Sequence, residues 1–282
     1  MAEQALPKTE QKRRDMDVTR RTEATWLRRF SWNFTDTFVI AWRNLMHYLR
    51  SPELLVFSTI QPIMFTLLFA YVFGGAIDTP AGDYINYLIP GILVQTVLFG
   101  GSQTTVGLAD DLSKGMIDRF RSLPMARSAV LAGRTLADTV RNVFVVFLIL
   151  IVGTIIGFRF QDGLLPALAA IAIIVAFGHV MLWVFAFIGI LVKDPETAQV
   201  AGFVWIFPMV FASSIFVPVE TMPGLLREFA EIQPISVVVN VARAWSLGLP
   251  MGNNLLYAMA WMIGIFAVFV PLSIRQYRRI TN

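Results

Sequence analysis

The stretch LLPALAAIAIIVAFGHVMLWVFAFIGILV, Leu164 to Val192, decides the fold. It holds no Asp, Glu, Lys or Arg. It also exceeds the roughly 20 apolar residues that a helix needs to cross a bilayer. A helix on the surface of a water-soluble domain would carry a polar face; here His179 is isolated among apolar residues. The surplus length allows tilt or an interfacial first turn. Working outward, five more apolar stretches stand at Leu54 to Phe73, Tyr84 to Gly107, Arg141 to Phe158, Ala198 to Val217 and Leu255 to Ile274. The pattern predicts an all-α polytopic membrane protein of six transmembrane helices.

Composition agrees. The chain of 282 residues is 56% hydrophobic with mean hydropathy +0.64, and only 15% of it is charged, against about 25% in soluble domains. Without cysteine there is no disulfide, thiolate metal site or thiol nucleophile. His47 and His179 are too far apart in sequence to make a metal site alone. Net charge is +4 and the pI is near 9.6, but the basic residues flank the spans, so no nucleic-acid partner is expected. The first apolar run starts near Leu54, behind a long polar stretch, and is too long for a secretory h-region, so no signal peptide is expected. Lys8, Lys12, Lys114 and Lys193 all lack a preceding glycine, which excludes the Gly-Lys pair of a P-loop. No G-x-S-x-G or H-E-x-x-H is present either. The chain reads as a non-enzyme.

Basic residues set the orientation. If six spans alternate, all of the 23 Lys and Arg except Arg159, Arg227 and Arg243 fall on one side. The positive-inside rule makes that side, with both termini, cytoplasmic, in a multi-pass plasma-membrane protein.

Ahead of the spans, residues 1–23 are polar and charged and read as a disordered cytoplasmic tail. Residues 24–52 read as an interfacial amphipathic helix, with Leu27, Phe30, Phe34, Phe38, Trp42, Leu45 and Leu49 at helical spacing and arginines mostly off that stripe. Pro52 turns the chain into the first span. The helix is open to two readings, a simple anchor or a lever. Residues 53–282 form the six-span domain.

The connection LADDLSKGMIDRFRSLPMARSAVLAGR, Leu108 to Arg134, is the most informative loop. Leu112, Met116, Phe120 and Leu123 mark one face of a short helix. Asp110 or Asp111 is placed to cap its start, and Pro124 to stop it. On the polar side Lys114 pairs in spacing with Asp118, and Asp118 with Arg121. The apolar face fits either the membrane surface or a groove on a cytosolic protein.

KGMIDRFRSLPMARSAVLAGRTLAD (Lys114 to Asp138) resembles the cytoplasmic loop of type-2 ABC exporter permeases of the daunorubicin/doxorubicin-resistance type found in actinobacteria. ETMPGLLREFAEIQPISVVVNVARAWSLG (Glu220 to Gly248) resembles that family's extracellular loop with two short helices. The resemblance covers nearly everything after about residue 25. It implies an ATP-driven exporter of hydrophobic drug-like, lipid or polyketide molecules, with two permease subunits (alike or related) and separate cytoplasmic ABC ATPase subunits. ATP and Mg would sit on the ATPase, and this chain would bind no cofactor. It implies that Leu112, Met116, Asp118, Arg119, Phe120, Arg121 and Leu123 form the coupling helix. An exporter of envelope glycolipid or polysaccharide from the same superfamily is the alternative, and a self-contained secondary transporter a further one. LFGGSQ, Leu98 to Gln103, shares letters with the LSGGQ signature of the ATPases but lies in an apolar span and reads as small residues for close packing.

Between the span edges the only expected charge is Arg141, at a boundary and three residues from Asp138, a spacing that suits a local ion pair. Gln95, Phe99 and Ser102 share a face of the second span. Hydrogen bonding between helices and a substrate path both account for them. His179 reads as a helix–helix contact, and Gly153 with Gly157 as a GxxxG packing motif. Outside, Thr221 is expected to cap a helix from Pro223 whose inner face is Leu225, Leu226, Phe229 and Ile232, followed after Pro234 by an apolar helix from Ile235 to Leu247 able to re-enter the bilayer.

Overall fold

The computed structural model describes residues 35–46, 48–50, 52–77, 79, 82–115, 127–192 and 194–280. Among them every regular element is helical. Helix α1 covers 35–46 and continues over 48–50. Then follow α2 (Pro52–Val72), α3 (Tyr84–Ser113), α4 (Arg127–Ile155), α5 (Leu164–Leu191), α6 (Pro195–Phe211), the short α7 (Gly224–Ile232), α8 (Pro234–Leu247) and α9 (Asn254–Ile280). Four of the described helices are long and apolar enough to cross a membrane: Tyr84–Ser113, Ser128–Ile155, Leu164–Leu191 and Asn254–Ile280. The described residues are those of an all-helical polytopic membrane protein.

Helix α3 is the axis, buried almost throughout from Tyr84 to Ala109, with α5, α6, α4, α2 and α8 packed around it. Small residues bring α3 and α5 together. Gly101 lies against the ring of Phe185; a Cβ on Gly178 would stand 2.8 Å from Val97, and one on Gly189 2.7 Å from the Thr105 carbonyl. Thr105 Oγ1 donates across the same crossing to the Phe185 carbonyl at 3.0 Å. Glycine contacts and interhelical hydrogen bonds of this kind hold bundles where lipid supplies no hydrophobic force. In the expected GxxxG, Gly153 packs on Ile89, whereas Gly157 has φ +120° and belongs to the turn after α4.

The outer surfaces are apolar. Leu136, Val140, Phe144, Phe147, Ile151 and Ile155 form an exposed stripe on α4, and α9 exposes Leu256, Trp261, Ile263 and Val268. Contiguous apolar surface on this scale faces lipid or protein, not water. On α1, Phe38, Trp42 and Leu49 also point outward, while Ile40 packs on Gly133 of α4. That division suits a helix lying along the membrane surface. Leu27, Phe30 and Phe34 lie outside the described residues.

Several boundaries differ from the expectation. Helix α4 starts at Arg127, not near Arg141, so its charged first turns belong to the bundle. Helix α3 runs through Ser113 and ends at Gly115, whose φ of +64° is the left-handed conformation that closes a helix. Asp110 and Asp111 therefore sit in a last turn and do not cap a new helix. Lys114 reaches back to Asp110 at 2.7 Å, and this hydrogen bond holds the ammonium pKa above its usual value; Asp118 lies outside the described residues.

Helix α6 stops at Phe211. Its start is set by Asp194, which accepts from the Thr197 backbone N–H at 2.7 Å, a bond that lowers the carboxyl pKa. The apolar run beyond Phe211 is a buried non-helical segment, because other groups take its backbone: Gln233 Nε2 donates to the Ala212 carbonyl, and Tyr87 and Tyr84 donate to the carbonyls of Ser214 and Phe216 at 3.0 and 2.9 Å. Thr221 does not cap α7; its hydroxyl closes a short 3-10 turn onto the Pro218 carbonyl. The expected inner face of α7 points outward, with Leu225 86% exposed, while Ala230 is the residue buried beneath.

Candidate functional site

A cavity of about 370 Å³ lies between the α1 extension, α2, α3, α4 and α6, a volume within the range of small-molecule sites. Helix α3 presents Gln95, Phe99, Ser102, Gln103, Val106 and Asp110 to it, a spacing that keeps them on one face. Gln61 and Pro62 of α2 and Phe203 of α6 form the opposite walls. The three residues expected to share a face, Gln95, Phe99 and Ser102, are thus together on one cavity.

Helix α4 supplies the charge. Arg134 and Arg141, seven residues apart, lie over Gly107 and Gly100 of α3, also seven apart. A Cβ on Gly107 would collide with the Arg134 guanidinium, and one on Gly100 would stand 3.2 Å from Arg141 Nη2. The glycines make room for the arginines in register. This matched spacing was visible in the sequence and is the signal that the span-by-span reading missed.

Asp138 and Arg141 do not form the expected local ion pair. Asp138, 1% exposed, accepts from Tyr48 Oη and Thr104 Oγ1, each at 2.5 Å. Arg141, 4% exposed, donates to the Gly100 carbonyl at 2.5 Å, to Asn142 Oδ1 at 3.3 Å and to Tyr48 Oη at 3.4 Å. Its guanidinium carbon stands 5.2 Å from the Tyr48 ring centroid. One hydroxyl holds each carboxylate oxygen and the Gly100 carbonyl draws the guanidinium to α3, so Tyr48 bridges the two charges. Burial, and next the Asp138 carboxylate, push the Tyr48 phenol up to about 12, which keeps it a neutral donor at physiological pH. The bundle therefore holds interior charge where the sequence reading placed none beyond Arg141. Its burial cost is met by charge-assisted hydrogen bonds.

Nearer the helix ends, Arg134 pairs with Asp111, tying the last turn of α3 to α4. Deeper in, Gln95 is 2% exposed and its Oε1 has no hydrogen-bond partner. Phe99 faces Phe203 and Phe207 at ring-centroid distances of 5.7 and 6.0 Å. His179 makes the expected helix–helix contact, its Nδ1 2.8 Å from Thr139 Oγ1.

Of the expected coupling residues, Leu112 lies in the last turns of α3 and packs on a buried cluster that includes Ile40, Leu108 and Leu131. Met116, Asp118, Arg119, Phe120, Arg121 and Leu123 lie outside the described residues.

At the other end of the bundle, Arg243 of α8 is 3% exposed. It donates to the carbonyls of Tyr87, Ser214 and Ile215 at 2.9, 2.6 and 3.0 Å and stacks 3.4 Å from the Tyr87 ring centroid. Helix α8 is buried along most of its length.

The family model for ABC-2 type transporters matches residues 35–247. The daunorubicin resistance ABC transporter permease protein of Streptomyces coeruleorubidus is 33% identical over 86% of each chain. A probable doxorubicin resistance ABC transporter permease protein of Mycobacterium tuberculosis is 26% identical over 84% of this chain and 86% of that one. A putative transport permease of Cyanophora paradoxa is 25% identical over 74% of this chain and 73% of its own. A match this long, on a bundle of apolar helices, means that the chain belongs to the ABC-2 type transporter family.

Proposed function

We propose that the chain is the transmembrane permease subunit of an ATP-driven exporter that moves hydrophobic drug-like, lipid or polyketide molecules out of the cytoplasm or inner leaflet. The observation that carries this reading is a mixed polar and aromatic cavity inside a family member whose relatives are named as drug-resistance permeases. ATP and Mg belong to a separate cytoplasmic ATPase, and the permease pairs with a second copy or a related chain.

In this reading α2 and α6 complete six spans. At about 1.5 Å per residue, the 21 residues of α2 reach about 32 Å, a bilayer core. The 17 residues of α6 reach about 26 Å and are extended by the buried segment after them. Both termini are cytoplasmic, following the basic residues. Helices α7 and α8 form the external pair, with α8 re-entering beneath it. The chain divides into a disordered tail over 1–23, an interfacial helix over 24–52 and the six-span domain over 53–282. Met116, Phe120 and Leu123 dock in a groove on the ATPase, with Asp118, Arg119 and Arg121 on the polar side. The ion pair between Asp111 and Arg134 supports a path from that loop to the cavity.

The test is capture of candidate ATPases from the same organism by the detergent-purified permease. Wild type is expected to hold one ATPase stably, and Met116→Asp and Phe120→Asp are expected to lose it while remaining folded. Capture that survives both substitutions removes the coupling assignment. A folded wild type that captures none removes the motor-driven reading.

A further inference from the structure

We infer that the cavity binds one amphiphile whose polar end is rich in oxygen and uncharged or anionic, with a hydroxyl directed at Gln95 and a flat apolar body on Phe99 and Phe203. This rests on the proposed function and narrows the cargo which that reading leaves open.

Gln95 supplies the first argument. Its Oε1 lacks a partner although the residue is buried and lines the cavity. A buried polar atom without a partner costs about 1–3 kcal/mol; turning the Gln95 amide about its last torsion would bring Oε1 to the cavity, where a ligand hydroxyl supplies the interaction that the protein alone leaves unmade.

The second argument is the sign of the charge. At the cavity's outer end Arg134 is offset by Asp111, and Asp110 by Lys114. Further in, the hydrogen bonds of Arg141 all run to neutral oxygens, those of Gly100, Asn142 and Tyr48. Asp138 keeps its negative charge, but it is held by two hydroxyls and does not line the cavity. The charged group that the inner wall presents to a ligand is therefore the Arg141 guanidinium, which favours an oxygen acceptor or an anion and disfavours an ammonium group. The third argument is shape: Phe99 and Phe203, with centroids 5.7 Å apart, provide an aromatic wall beside this polar patch.

The test uses the full chain in lipid nanodiscs without any ATPase. The probes are 1-pyrenebutanol, 1-pyrenebutyrate and pyrenebutyl-trimethylammonium, read by energy transfer from tryptophan; Trp205 lies two residues from Phe203. The first two are expected to bind saturably, and the cation at least about fivefold more weakly. Gln95→Leu is expected to weaken pyrenebutanol about fivefold, the worth of one hydrogen bond. Pyrenebutyrate, which has no hydroxyl to donate at neutral pH, is expected to change little. Gln95→Met, with the thermal midpoint of each variant, separates loss of binding from loss of fold. The inference is overturned if the cation binds as tightly as the alcohol, if both Gln95 variants leave pyrenebutanol unchanged, or if folded wild type binds no probe saturably. Because no ATPase is present, the two ideas fail separately. Binding without ATPase capture removes the export reading and keeps the site; capture without binding does the reverse.

Discussion

Arg141 and Arg243 are both buried arginines in apolar surroundings, and they are solved in opposite ways. Arg243 is enclosed: three main-chain carbonyls and the Tyr87 ring surround its guanidinium and fix the non-helical segment after α6 to α3. Arg141 stands at the edge of a cavity, held by a carbonyl, an amide and a tyrosine contributed by another helix. Removing an enclosed cation takes donors away from three buried carbonyls at once and damages the fold. Removing one from a cavity wall leaves room for water to take its place. Arg243 is thus a structural lock, whereas Arg141 lines the cavity that the proposed function uses.

That contrast is broken most easily at Arg243. Arg243→Met is expected to cost on the order of 3–5 kcal/mol, since it strands buried carbonyls, and to show as a sharp fall in thermal midpoint and folded yield. Arg141→Gln is expected to cost no more than about 1–2 kcal/mol while reducing export about tenfold or more. Equal loss of stability at the two positions would erase the distinction. Phe99→Leu, which nearly preserves volume and costs less than about 1.5 kcal/mol, is expected to shift the ratio of transport rates for two cargos without altering ATPase capture. An unchanged ratio across several cargos would take α3 out of the path.

The smallest effect belongs to Tyr48→Phe. It removes the hydroxyl that bridges Asp138 and Arg141, for about 1 kcal/mol. Its sign with pH follows from the raised phenol: the folded state disfavours phenolate, so wild type keeps this contribution below pH 10.0 and loses it as pH rises toward about 12. The variant's stability is expected to fall less steeply across that window. Parallel curves would show that Tyr48 does not titrate in the bundle.

The bundle was legible in the sequence because a lipid-facing helix needs apolar residues all round, and the apolar runs of α3, α5 and α9 announce themselves. The face that joins Gln95, Phe99 and Ser102 was legible for the same reason, since helical spacing is enough to align them. The start of α4 was not. Arg134, Asp138 and Arg141 lower local hydropathy, and only their partners on α1 and α3 make them acceptable inside the bundle. No local pattern foretells that Tyr48, distant in the chain, supplies the bridge. The end of α6 was hidden too, because its apolar letters continue past Phe211 while long-range side chains claim the backbone. The outward face of α7 carries the right amphipathic pattern, but a pattern does not say which side finds a partner.

The most direct test of the account is ATP-dependent accumulation of a fluorescent amphiphile in inside-out vesicles that carry the chain with its captured ATPase, comparing wild type and Arg141→Gln. The account predicts that the variant captures the ATPase as wild type does and accumulates about tenfold less. Undiminished accumulation by Arg141→Gln would contradict it.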